Sequence, residues 1–104
     1  MVLHVMQWQI HPDKVQQYAE WQRGAIQRTL SVPGVVEFRG YRPVSGPSQV
    51  VVTYEFEDLE TWAAWRGNDT IKGVLQELYT LALNVTSQLW GPSKFVPEPI
   101  RPDA

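Results

Sequence analysis

The chain has 104 residues, 43% hydrophobic and 19% charged, with no cysteine and a formal net charge of −2. This describes one folded domain and excludes a disulfide scaffold, a thiolate metal site and a cysteine nucleophile. With no basic run and no apolar stretch long enough to cross a bilayer, neither nucleic acid nor membrane is an expected partner.

The start, Met1-Val2-Leu3-His4-Val5, lacks a basic n-region and a cleavage site, so a cytoplasmic location is expected. From Val2 to Ile10 the chain alternates. Val2, His4, Met6, Trp8 and Ile10 form one strongly apolar face, while Leu3, Val5, Gln7 and Gln9 form one that turns polar. That is a strand. Pro12 and Asp13 end it and open a helix, with proline near the first turn.

Val15, Tyr18, Ala19, Gln22, Ala25, Ile26, Thr29 and Leu30 recur at intervals of three and four, which predicts an amphipathic helix. Trp21 sits at the edge of this stripe, and Ser31-Val32-Pro33-Gly34 ends the helix. A second strand is expected from Val35 to Val44, with Val36 and Phe38 on one face and Glu37, Arg39 and Tyr41 on the other. The turn Ser45-Gly46-Pro47-Ser48 makes it half of an antiparallel hairpin.

The other half opens with Val50, Val51 and Val52, which leave no polar face, so both sides of this strand should be covered. Asp58 stands as the N-cap of a second helix that runs through Trp62 and Trp65 and breaks at Gly67-Asn68-Asp69. It resumes at Thr70, with Ile71, Val74, Leu75, Leu78, Tyr79 and Ala82 expected to face inward. A last strand is expected from Asn84 to Trp90. Residues 1–92 thus form the domain, and residues 93–104 a proline-rich, extended tail.

The order strand, helix, strand, strand, helix, strand predicts an α+β, ferredoxin-like βαββαβ fold. It has a four-stranded antiparallel sheet with both helices on one face. Val51 and its neighbours on the other face then need a partner. A second copy packed sheet to sheet, giving a dimeric α/β barrel, is the economical solution.

Several runs carry a family resemblance: Val32-Pro33-Gly34-Val35, the strand Val50 to Phe56 continuing through Glu57-Asp58, then Trp62-Ala63-Ala64-Trp65 and Ile71-Lys72. Over Met1 to Pro92 the chain resembles the antibiotic biosynthesis monooxygenase family, a branch of the dimeric α/β-barrel superfamily. The resemblance implies cofactor-independent oxygenation of a polycyclic phenol in a pocket between sheet and helices. There the phenol loses a proton, its anion is stabilised, and the electron-rich substrate reduces O₂ directly. The resemblance also includes haem degraders, which carry Asn on the first strand and Trp and His on the second helix. Here Trp65 falls on the Trp position, Leu75 on the His position, and Met6 or Gln7 on the Asn position. Without the axial His no cofactor is expected.

Within this frame His4 is the candidate base, and Trp65 the aromatic wall with an indole N–H aimed at the developing anion. Trp8, Tyr54, Trp62, Asn68 and Tyr79 are the candidate substrate contacts. Each also has a plainer role: His4 as a satisfied core residue, Trp62, Trp65 and Tyr79 as core fillers, Asn68 as a turn residue. Glu37 and Arg39 fit either a barrel interior or surface ion pairs. His4 and His11 have opposite strand parity and no carboxylate cluster beside them, so no metal site is expected. Two readings follow: a cofactor-free oxygenase of an aromatic compound, or a non-catalytic dimeric module that binds a small apolar ligand or assembles with a partner.

Overall fold

The computed structural model describes residues 1–103. Strand β1 (Val2–Ile10) leads through a 3-10 turn at Pro12–Lys14 into helix α1 (Val15–Ser31). Strands β2 (Glu37–Tyr41) and β3 (Val50–Phe56) form the hairpin, followed by helices α2 (Leu59–Arg66) and α3 (Asp69–Leu81) and strand β4 (Ala82–Trp90). The sheet order is β2-β3-β1-β4, every neighbour antiparallel. This is the ferredoxin-like α+β arrangement, with two interleaved strand–helix–strand units.

The register places His4 opposite Tyr54, Met6 opposite Val52 and Val2 opposite Phe56. Alternation therefore puts His4, Met6, Trp8, Val52, Tyr54 and Phe56 on one face, and the helices cover it. Trp65 from α2, Tyr18 from α1 and Ile71 and Leu78 from α3 complete the core there. On the opposite face Val5 and Thr53 are buried, while Val51 and Leu3 stay half-buried in the single chain.

Capping explains where the second helical region breaks. The Asp58 carboxylate accepts from the backbone N–H of Thr61 at 2.7 Å, and Asn68 Oδ1 accepts from Thr70 N–H at 2.8 Å. Two capped starts in this short stretch give two helices instead of one.

Three expectations shift in position. The second strand is shorter than Val35 to Val44, because Pro43 has no N–H to give a ladder and the chain is already turning at Gly46. The last strand starts at Ala82, not Asn84. Its pairing with β1 slips between Gln7 and Gln9, and Asn84 takes a left-handed φ of 54° there while its amide donates to Gln9 Oε1. Tyr79, expected inward, is 57% exposed, because the stripe of α3 centres on Ile71, Val74 and Leu78 and leaves position 79 outside it. Gly34, at the turn into β2, has φ +127°. A Cβ there would lie 3.0 Å from Thr61 Cγ2, so this turn needs glycine for two reasons.

Candidate functional site

Between the covered face of the sheet and the helices lies a cavity of about 280 Å³. Met6, Val50 and Val52 form its floor, and Ile71, Val74, Leu75 and Leu78 form the α3 side. No Asp, Glu, Lys or Arg lines it among the described residues. His4, Trp8, Tyr54 and Trp65 all reach this cavity. Trp62, Asn68 and Tyr79 do not line it: Asn68 is spent on capping α3, and Tyr79 points to solvent.

Trp62 nevertheless touches the site through His4. Its indole Nε1–H donates to His4 Nδ1 at 3.1 Å. An acceptor nitrogen cannot carry the proton in the neutral ring, so the proton of His4 resides on Nε2. That Nε2 is buried and has no hydrogen-bond partner. His4 itself is 2% exposed, with the rings of Trp65, Tyr54 and Trp62 centred 5.9, 6.1 and 6.1 Å away. Burial first, and the nearby Arg66 charge second, hold its pKa down from 6.5 to about 4. His4 is thus a neutral Nε2–H donor across the physiological range, and as a base at Nε2 it is blocked by its own proton.

Most of the other polar groups around the cavity are already paired. Trp65 Nε1–H donates to the Thr29 carbonyl at 3.0 Å, so its indole is an aromatic wall and has no N–H to spare for an anion. Tyr54 O–H donates to Thr29 Oγ1 at 3.2 Å, and Thr29 in turn donates to the Ile26 carbonyl. Burial pushes the Tyr54 phenol above its ordinary pKa. Trp8 Nε1–H donates to the Tyr18 hydroxyl at 3.2 Å, and burial likewise raises the Tyr18 pKa.

A clamp joins α1 to α3 beside the site. Arg28 makes two bonds to the Glu77 carboxylate, at 2.9 and 2.7 Å, and Trp21 Nε1–H donates to the same group at 2.7 Å. The Arg28 bond chiefly, with help from Trp21, holds the Glu77 carboxyl down to about 2. The ion pair is almost half-exposed, so its value to stability is at most about 1 kcal/mol. Its local effect is to hold Trp21 in the cavity wall.

Tyr18, Trp21 and Thr29 are site residues that sequence reasoning assigned only to a helix stripe or its edge. A signal was present, since Tyr18 and Thr29 are polar-tipped residues inside an otherwise mostly apolar stripe. His11, by contrast, has no part in the site: its Nδ1 accepts from Asp13 N–H and caps the first turn. Among the described residues no three His, Cys, Asp or Glu side chains gather to hold a metal ion. Haem does not fit this donor set either, because Leu75 on the cavity wall offers no ligand atom and His4, the cavity's one imidazole among the described residues, carries a proton on Nε2 instead of a free lone pair.

Residues 1–76 match the family model described as antibiotic biosynthesis monooxygenase. No curated protein matches the chain in sequence. Among solved structures, a crystal structure of an antibiotic biosynthesis monooxygenase is 14% identical with a TM-score of 0.73, over 89% of this chain and 99% of that one. A ferredoxin-like protein of the dabb family from Mesorhizobium loti is 12% identical with a TM-score of 0.78, over 88% and 96% of the two chains. A dimeric ferredoxin-like protein of unknown function from Thermobifida fusca is 9% identical with a TM-score of 0.72, over 86% and 88%. At such identities the likeness is one of fold.

Proposed function

The chain belongs to the antibiotic biosynthesis monooxygenase family, and from that premise we propose that its cavity oxygenates a polycyclic phenol without a cofactor, with His4 as the donor that holds the substrate's oxygen anion. The observation that carries this reading is the unpartnered Nε2–H of His4 beside an otherwise apolar, aromatic cavity. A buried donor with no partner costs stability, and a ligand oxygen relieves that cost. Because the ring is neutral and its proton fixed by Trp62, it stabilises negative charge without first having to lose or gain a proton.

The chemistry then belongs largely to the substrate. A phenol in equilibrium with its ring-methylene keto form loses a proton to water at the open side of the cavity, and His4 shifts that ionisation by stabilising the anion. The anion passes an electron pair, one electron at a time, to O₂, and a carbon–oxygen bond forms. After protonation, loss of the remaining C–H proton breaks the O–O bond. The sum converts a ring CH₂ and O₂ into a ring C=O and H₂O, with all four electrons drawn from the substrate.

One feature favours the non-catalytic alternative, a module that binds a small apolar ligand: no carboxylate lines the cavity to take a proton. Oxygen uptake with a panel of polycyclic phenols and hydroquinones separates the two. Turnover should fall about a hundredfold or more in His4→Ala, as on removal of an oxyanion donor. Equal turnover in His4→Ala removes His4 from the mechanism. No uptake with any substrate, together with tight quenching of Trp fluorescence by an apolar ligand, establishes the binding module.

We further propose that the chain functions as a homodimer packed sheet to sheet. The half-buried Val51 and Leu3 on the uncovered face support this, as does the dimeric state of the Thermobifida fusca relative.

A further inference from the structure

We propose that Tyr18 is a second polar anchor of the cavity, and that the ligand is a flat fused-ring molecule carrying an oxygen acceptor at each end. The inference rests on the cavity being the ligand site, and it deepens that reading by fixing where the ligand's oxygens must be. Almost every buried polar hydrogen around the cavity has an acceptor within the protein. The indole N–H of Trp8 goes to Tyr18, that of Trp21 to Glu77, that of Trp62 to His4 and that of Trp65 to Thr29. The hydroxyl hydrogens of Tyr54 and Thr29 go to Thr29 and Ile26, while Gln22 and Tyr41, which also line the cavity, are exposed and can give their hydrogens to water.

Tyr18 differs from all of these. Its oxygen accepts from Trp8, and its own hydrogen finds no acceptor among the described residues, although the residue is only 6% exposed and lines the cavity. Burial keeps the phenol protonated, so it remains a donor at neutral pH. Two buried donors are therefore left without an acceptor, His4 Nε2–H and Tyr18 O–H. The strand that carries His4 and Trp8 sets them apart along the site. Tyr18 is bonded to Trp8, which lies four residues along β1 from His4 and on the same face, or ~13 Å at the usual rise of a strand. Between them lies Met6, an apolar floor against which a planar ring system can lie.

A ligand with one oxygen leaves one of these donors unpaired in an apolar surround, whereas one with an oxygen at each end satisfies both. A carboxylated ligand is disfavoured, since no cation lines the cavity among the described residues.

Binding of two quinone probes, read by quenching of Trp fluorescence, tests this without turnover. Anthraflavic acid is a fused three-ring quinone with a hydroxyl at each end. Its mono-hydroxy analogue, 2-hydroxyanthraquinone, lacks one of them. Tyr18→Phe is expected to weaken anthraflavic acid about tenfold and leave the analogue unchanged. Since Tyr18→Phe strands the buried Trp8 N–H, Trp8→Phe is compared with the double variant Trp8→Phe/Tyr18→Phe as well, and the same selective loss is expected. Equal effects on both probes, or no effect on either, overturn the Tyr18 anchor and leave the cavity reading intact. Binding of neither probe by the unaltered protein overturns both.

Discussion

The indole of Trp62 donates to Nδ1 of His4 at 3.1 Å, and this bond decides which nitrogen of His4 carries the proton. Trp62 sits outside the cavity and acts only through His4. Trp62→Phe should release the ring, so that both neutral tautomers are populated. Nitrogen chemical shifts of His4 check this directly, moving from one protonated Nε2 toward an average. Oxygen uptake should fall about tenfold, the lower end of the losses seen when a group that orients a functional His is removed. Unchanged shifts in the variant would show that the tautomer has another cause.

The buried imidazole makes stability depend on pH. His4 has a folded-state pKa of about 4 against 6.5 in the unfolded chain, so the unfolded chain binds more protons in between. The stabilisation is complete above pH 6.5 and is lost as pH falls toward about 4. Glu77 and Asp58, whose carboxyls are held below their ordinary values, withdraw their contributions only lower, from pH 4.5 and 3.8 downward. Between pH 6.5 and 4.5 the urea midpoint should therefore fall, by on the order of 2 kcal/mol in stability. In His4→Gln the same window should be nearly flat. An equal slope in both proteins would assign the effect elsewhere.

Gly34→Ala combines two costs, a φ of +127° that alanine avoids and a Cβ 3.0 Å from Thr61 Cγ2. A loss of roughly 1 to 3 kcal/mol in chemical denaturation is expected. Adding Thr61→Ser removes the methyl and should restore the contact part alone. Full restoration would mean that the backbone conformation costs nothing.

Light scattering tests the sheet-to-sheet dimer. The mass should be twice the 11.9 kDa of the chain at micromolar concentration. Val51→Lys, which places a charge on the uncovered face, should shift the protein toward monomer while the cavity of each chain persists. A monomer in the unaltered protein would sink the interface.

Much of this protein is settled within single elements of the chain. The alternation of Val2 to Ile10 put His4, Met6 and Trp8 on one face, and Asp58 marked the start of α2 through a cap that needs only local backbone; Asn68 caps α3 in the same way, where the sequence predicts only a break. The strand–helix order then fixed the topology, since right-handed crossovers leave few alternatives. The function of each side chain did not follow in the same way, because hydrogen-bond pairing joins residues far apart in sequence. Trp62 lies 58 positions from His4 and Thr29 lies 36 from Trp65, and no periodicity relates such pairs. Sequence alone made His4 a base and Trp65 a donor. Tertiary packing placed an indole on one nitrogen of His4 and a carbonyl on the indole of Trp65, which leaves His4 with a free N–H and Trp65 with none. It likewise left the hydrogen of Tyr18 free, through a bond from Trp8 that only the folding of α1 onto the sheet brings into reach.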